Sequence, residues 1–152
     1  MSNYAFGTMW LELPSENVDK FIALFLSHNK SANMAKERHF YRTTLEKFDM
    51  QKTMKGNSEL AIDFTSGWSL GDCFVDVYPN KGEGKCPNLE DICRELNVTI
   101  LAAVGEEPME GFKEKIRYIK GQPFFYQKSD TLYHLNSQDW EEWKSNMEME
   151  AE

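Results

Sequence analysis

Apolar residues recur first at alternating and then at helical spacing, in the order strand, helix, strand, strand, helix, strand, over residues 4–104. That order predicts an α+β fold: a ferredoxin-like βαββαβ sandwich, extended by a C-terminal β-hairpin and helix. Two further observations support it. A Lys120-Gly121-Gln122-Pro123 turn separates two aromatic-rich runs, which reads as the hairpin. The chain has no repeat period and no long linker, so residues 1–152 are expected to form a single such domain, with an acidic C-terminal helix and tail.

Residues 4–13 place Ala5, Met9, Leu11 and Leu13 on one face, and Tyr4, Phe6, Thr8 and Trp10 on the other. This is the period of a strand. Pro14 ends it, and Ser15 is the expected N-cap of a helix reaching His28, whose stripe is Val18, Phe21, Ile22 and Phe25. Asn29 to Arg38 is small and polar and reads as a loop. Residues 39–50 are rich in aromatic and β-branched side chains and read as the second strand. Gly56-Asn57 marks a turn, and Glu59 to Thr65 alternates with Leu60, Ile62 and Phe64 inward. Glycines and Pro79 punctuate residues 66–85, within which DCFVDVY reads as a short strand or one helical turn. Pro87, Leu89, Ile92, Cys93 and Leu96 mark a short helix that stops at Asn97. Val98 to Val104 is the fourth strand, Phe112 to Ile119 and Phe124 to Gln127 are the hairpin, and Ser137 starts the last helix.

With both helices on one side of the sheet, as right-handed crossovers require, the expected core is Met9, Leu11, Phe21, Ile22, Phe25, Leu60, Ile62, Phe64, Ile92, Leu96, Ile100 and Ala102. The opposite face would carry Phe6 and Trp10 beside Leu101 and Ala103. Such a patch is too apolar to leave bare. Three kinds of occupant suit it: the chain itself, either the final helix laying Trp140 and Trp143 across it or the hairpin; a partner or second copy of the chain, with Trp10 as an anchor; or RNA bases stacked on its aromatics. Asp63 and Glu59 on the same face repel phosphate and disfavour the last.

Composition narrows the function. Lys plus Arg is 17 against 25 Asp plus Glu, a formal net charge of −8. That balance disfavours direct nucleic-acid binding. No run of about 18 apolar residues suggests a membrane span. Cys73, Cys86 and Cys93 are odd in number and spaced for neither a disulfide scaffold nor a zinc site. The histidines His28, His39 and His134 are scattered, so no metal or other cofactor is expected. The N-terminus lacks a basic, then apolar, leader. Together with thiols expected to be reduced, this points to the cytoplasm.

From Leu60 the chain runs LAIDF, then GWSL with Trp68, then a helix, then a strand that ends in EEPMEGFKEKIRYIKGQ. This pattern resembles the YubB-type ferredoxin-like family of plasmid and phage proteins of unknown function. The shared features are a tryptophan soon after the third strand, here Trp68, and a Glu-Pro loop followed by Gly-Phe, here Glu107-Pro108 and Gly111-Phe112. The resemblance spans Asn3 to Gln122. The chain departs from the family in a longer stretch between Trp68 and Leu89 and in lacking the N-terminal Asn/Trp/Cys motif. The resemblance implies the fold and a mobile-element origin, and no enzyme activity.

The residues themselves offer little for catalysis. There is no nucleophile elbow, no P-loop and no dinucleotide fingerprint. GEGKC at 82–86 lacks P-loop spacing. Cys86 lies near Lys81 and Lys85, which would lower a thiol pKa if they converged. Asp63, Asp72 and Asp76 are candidates for a cluster near Trp68. The loop Gly105 to Gly111 carries Glu106, Glu107 and Glu110, and from Asp139 onward the chain carries six acids and one lysine.

Two functions follow as expectations. The first is a non-enzymatic protein that binds a host protein or complex with a basic surface. Its contacts would be Glu106, Glu107, Glu110, Glu141, Glu142, Glu148, Glu150 and Trp10. An inhibitor of a host defence complex that handles nucleic acid, such as an anti-CRISPR protein, is its concrete form. The second is a small-molecule-binding or minor enzymatic domain, with its site near Trp68, Asp72 and the 105–111 loop.

Overall fold

The computed structural model describes residues 4–26, 38–53, 55–77, 86–129 and 137–150, and in the last helix the side chains of residues 138–146. Six strands form one sheet: β1 (Tyr4–Pro14), β2 (Thr43–Lys52), β3 (Asn57–Gly67), β4 (Ile100–Glu107), β5 (Phe112–Ile119) and β6 (Phe125–Ser129). Their order is β2-β3-β1-β4-β5-β6, and every neighbouring pair is antiparallel. The helices are α1 (Val18–Ile22), α2 (Leu89–Glu95) and α3 (Ser137–Glu150). The fold class is therefore α+β. As expected, β1 lies centrally, between β3 and β4. His28, His134, the loop Asn29 to Glu37, Lys81, Lys85 and most of GEGKC lie outside the described residues.

The helix expected to reach His28 is shorter. A 3₁₀ turn, Ser15–Asn17, leads into α1, which ends at Ile22. Tight turns from Leu24 N–H to Phe21 and from Phe25 N–H to Ile22 follow. Leu26 then pairs with Thr44 alongside β2. The apolar stripe nevertheless serves its purpose, because Val18, Phe21, Leu24 and Phe25 are all buried. Ser15 is not a cap. Its hydroxyl lies 2.7 Å from that of Ser58 on β3, which pins the turn to the sheet. Asn88 caps α2 instead, its Oδ1 accepting from Asp91 N–H at 2.9 Å, with Pro87 just before it. Asn97, at φ +58°, ends that helix as expected. Residues 71–75 form the helical turn of the two alternatives, Gly71–Val75.

One face of the sheet carries the main core. Met9, Leu11, Leu60, Ile62, Phe64, Leu101, Ala103 and Ile116 meet Phe21, Phe40, Phe74, Leu89 and Ile92 there. Phe21, Phe25, Phe40, Phe64 and Phe74 interlock, with neighbouring ring centroids 5.0 to 6.2 Å apart. Each such ring contributes about 1.5–3 kcal/mol through burial. The expected core is corrected at β4. Leu101 stands opposite Leu11 and Ala103 opposite Met9, so these two point into the main core. Ile100 and Ala102 lie on the second face with Trp10. Every residue from Ile100 to Gly105 is buried, so alternation could not orient this strand. Its register against β1 does.

α3 covers the second face around Trp10, while Phe6, at the other end of β1, stays 59% exposed on that face. Trp140 stacks on Trp10, with centroids 6.4 Å apart and planes 15° from parallel. Trp143 packs beside them. Glu59 accepts from Trp140 Nε1 at 3.1 Å and from Lys144 Nζ at 2.5 Å, fixing the helix to β3.

Candidate functional site

β3 leaves the sheet at Gly67, and the next residues are held with unusual firmness. Gly67 N–H donates to Arg42 O, and Ser69 N–H to Gly67 O, each at 3.0 Å. Leu70 is fully buried against Gly105 of β4; a Cβ at Gly105 would come within 2.3 Å of Leu70 Cδ1. Gly71 lies against the Tyr126 hydroxyl, where a Cβ would come within 2.6 Å. Beneath them is Glu114 of β5, 1% exposed. Its carboxylate accepts from Leu70 N–H at 2.9 Å, Gly71 N–H at 2.7 Å and the Tyr126 hydroxyl at 2.9 Å. Burial pushes the Glu114 carboxyl above its ordinary range, and the two backbone N–H groups and the Tyr126 hydroxyl oppose that shift. Burial, then the charge of Glu114, pushes the Tyr126 hydroxyl upward too.

This clamp holds Trp68 at φ +73° with 43% of its surface exposed. A bulky aromatic in the left-handed region costs on the order of 1–3 kcal/mol and persists only where its surroundings fix it. Asp72 N–H donates to Ser69 Oγ at 3.0 Å and starts the turn that carries Asp72 and Asp76.

The facing wall is the β4–β5 turn. Glu107 is 1% exposed, and its carboxylate accepts from Met109 N–H at 2.8 Å and Glu110 N–H at 2.6 Å. Gly111, at φ +78°, completes the turn. Lys128 of β6 holds its ammonium 3.9 Å from the centroid of the Phe112 ring. Between the walls lies a cleft of about 220 Å³, lined by Trp68, Asp72, Asp76, Glu110, Tyr126 and Lys128 among others. Asp72, Asp76, Glu107 and Glu110 bring four carboxylates to it against the single ammonium of Lys128. That volume is below the usual range for drug-sized ligands, about 300–1,000 Å³, and suits one side chain.

The expected contact residues do not form one surface. Glu110 reaches the cleft. Glu107 lines it too, but as the staple of its own turn. Glu106 stands on the second face, opposite Phe6 and Lys113. Glu141 and Glu142 are exposed on α3, where Glu141 lies 3.5 Å from Lys144. The side chains of Glu148 and Glu150 lie outside the described ones. Trp10 is only 8% exposed beneath Trp140, so it is a packing residue and not a surface anchor. Asp63 does not join Asp72 and Asp76; it accepts from Thr8 Oγ1 at 2.9 Å on the second face.

Glu114, Tyr126 and Lys128 are the residues that sequence reasoning missed. The signal was a lone acid at an inward position of the series Phe112, Glu114, Ile116 and Tyr118. The buried thiols of Cys73 and Cys93 are unsuited to nucleophilic work. Burial pushes Cys73 up to about 11, and Cys93 upward too. Cys86 Sγ lies 3.9 Å from His39 Nε2, and neither residue lines the cleft. Among the described residues no group of three or more His, Cys, Asp and Glu side chains is placed to hold a metal ion, and no helix is long and apolar enough to cross a membrane. No known family model, curated protein or solved structure matches the chain.

Proposed function

We propose that this protein acts by binding, and that it takes a cationic side chain of a partner protein into the cleft beside Trp68. The observation that carries this reading is the exposed indole of Trp68, held at a costly backbone angle beside Asp72, Asp76 and Glu110. An aromatic face and nearby carboxylates are the complement of a guanidinium or ammonium group. A cation over such a ring gains roughly 0.5–2 kcal/mol, and a charge-assisted hydrogen bond adds about 1.5–3 kcal/mol. The chain already makes contacts of this type, such as Lys128 on Phe112 beside the cleft and Arg117 on Phe125. Catalysis is the weaker reading, because both oxygens of Glu114 are engaged within the fold. The net charge of −8 favours a basic partner surface. An inhibitor that occupies the basic surface of a host nucleic-acid-handling complex is the narrower form of the same reading. The strand order β2-β3-β1-β4, with α1 between β1 and β2 and α2 between β3 and β4, supports treating this part as a ferredoxin-like βαββαβ unit. That fold leaves function to the site.

The test is an NMR titration of the Trp68 indole N–H with a short arginine peptide at low salt. A citrulline peptide serves as the neutral control. The expected result is a saturable shift with arginine only, lost in Asp72→Asn and Glu110→Gln while melting is unchanged. Equal shifts from both peptides, or none from either, would overturn the proposal.

A further inference from the structure

We infer that the outer edge of β2 is a pairing surface for a second copy of this chain. Among the described residues only Leu26 lies beside that edge. It donates to Thr43 O and accepts from Leu45 N–H, each at 2.8 Å. A bulge between Leu45 and Lys47 follows. From Glu46 to Lys52 the strand is exposed, and no described strand runs alongside it. Thr43 and Leu45 point their backbone groups outward, so Thr44 and its partner Thr65 point theirs toward each other. The two-residue period of β3 carries that orientation to Asp63 and Ala61, which face Lys47 and Asp49. The outward N–H and C=O groups past the bulge are therefore those of Phe48 and Met50. A strand edge of this kind is a template for another strand.

The side chains give that template a preferred partner. Phe48 and Met50 stand opposite Ile62 and Leu60, on the core side of the sheet. They are 41% and 48% exposed, although both partners are buried. The apolar surface of the core therefore runs out onto this edge and is left open there. A two-fold axis normal to the sheet keeps each side chain on its own face, so it must pass through a residue position. With the axis at Phe48, the two Phe48 rings meet, and Lys47 of each copy faces Asp49 of the other. An axis at Asp49 opposes two aspartates, and one at Lys47 opposes two lysines. An axis at Met50 sets Phe48 against Lys52. Only the Phe48 register joins aromatic contact to two pairs of opposite charge and no like pair. The pairing is isologous and closes as a dimer. One strand pair buries too little for a permanent interface, so the dimer is weak and concentration-dependent.

Sedimentation velocity over a wide concentration series tests this. The wild type should shift from monomer to dimer. Lys47→Asp gives the edge two neighbouring acids, and Asp49→Lys gives it two neighbouring lysines. Each variant alone should dimerise roughly tenfold or more weakly. Mixing the two should restore association, because every charge pair is then complementary, and circular dichroism checks that each variant is folded. A wild type that stays monomeric throughout would overturn the inference. So would a dimer indifferent to both variants, or a mixture no tighter than its components.

Discussion

The two faces of the sheet solve the same problem with different materials. The core face is closed by α1, α2 and five interlocking phenylalanines. The second face is closed only in part, by one acidic helix, chiefly through Trp140 on Trp10, and leaves Phe6 exposed. Each face also holds a glutamate in a fixed role. Glu114 binds backbone N–H groups on the core side. Glu59 binds Trp140 and Lys144 on the other. Backbone donors are anchored by the fold around them, whereas Lys144 is a long side chain on a terminal helix. The difference teaches where rigidity is placed: the core face supports the Trp68 cleft, and the second face only docks α3.

The largest test of this contrast compares Phe64→Ala with Trp140→Ala. Phe64 is 1% exposed at the centre of the aromatic cluster. Its truncation should cost about 3–5 kcal/mol in urea unfolding. Trp140 is 2% exposed, but its neighbours are a thinner layer. Its loss should cost the low end of that range, about 3 kcal/mol, expose Trp10 to fluorescence quenchers and leave the Trp68 indole resonance unmoved. Equal costs, with Trp68 perturbed in both variants, would show that the two faces fold as one layer.

Sequence reading succeeded where a single period carried the information. Ala5, Met9, Leu11 and Leu13 of β1 are all fully buried as a set, because one side of that strand is apolar and the other mixed. It failed at β4, where both sides are apolar and only the pairing with Met9 and Leu11 decides which is which. The cleft was partly legible. Trp68, Asp72 and the 105–111 loop stood out as irregular, polar segments. Glu107 could not be told from Glu110, because being consumed by a turn depends on backbone N–H directions that a string of acids does not display. Glu114 was concealed for a different cause. Its donors, Leu70 and Gly71, lie far away in sequence and are brought to it by the packing of Leu70 on Gly105.

Glu114 gives the intermediate effect. Its folded pKa lies above the ordinary glutamate value, so the folded chain holds that proton more tightly than the unfolded chain does. Its contribution to stability is therefore greatest at acid pH and declines as pH rises through the folded pKa. Glu114→Gln should cost about 1–2 kcal/mol below the ordinary glutamate range, since the amide presents N–H to a backbone donor. That cost should shrink as pH rises, because the variant has no buried charge to form. Urea midpoints of the two proteins across the acid-to-neutral range measure the gap. A gap that widens with pH would mean that the three hydrogen bonds outweigh burial, and that Glu114 is held as a carboxylate.

The smallest effect belongs to Lys144. Burial disfavours its ammonium, but the hydrogen bond and charge of Glu59, and then Glu141, outweigh that and raise its pKa. A lysine so raised adds stability that is fully present below its ordinary value and is lost as pH rises through the folded value. The pair with Glu59 is only partly shielded, at 16% and 20% side-chain exposure. Lys144→Met should therefore cost about 1 kcal/mol at low salt, and less at high salt. Trp10 should stay shielded from quenchers, because the stacked indoles, and not the ion pair, hold α3 to the sheet. If Trp10 became accessible in Lys144→Met, the ion pair would be the true fastener of the second face. The contrast with Glu114 would then lie in where the donors come from, and no longer in how firmly each face is closed.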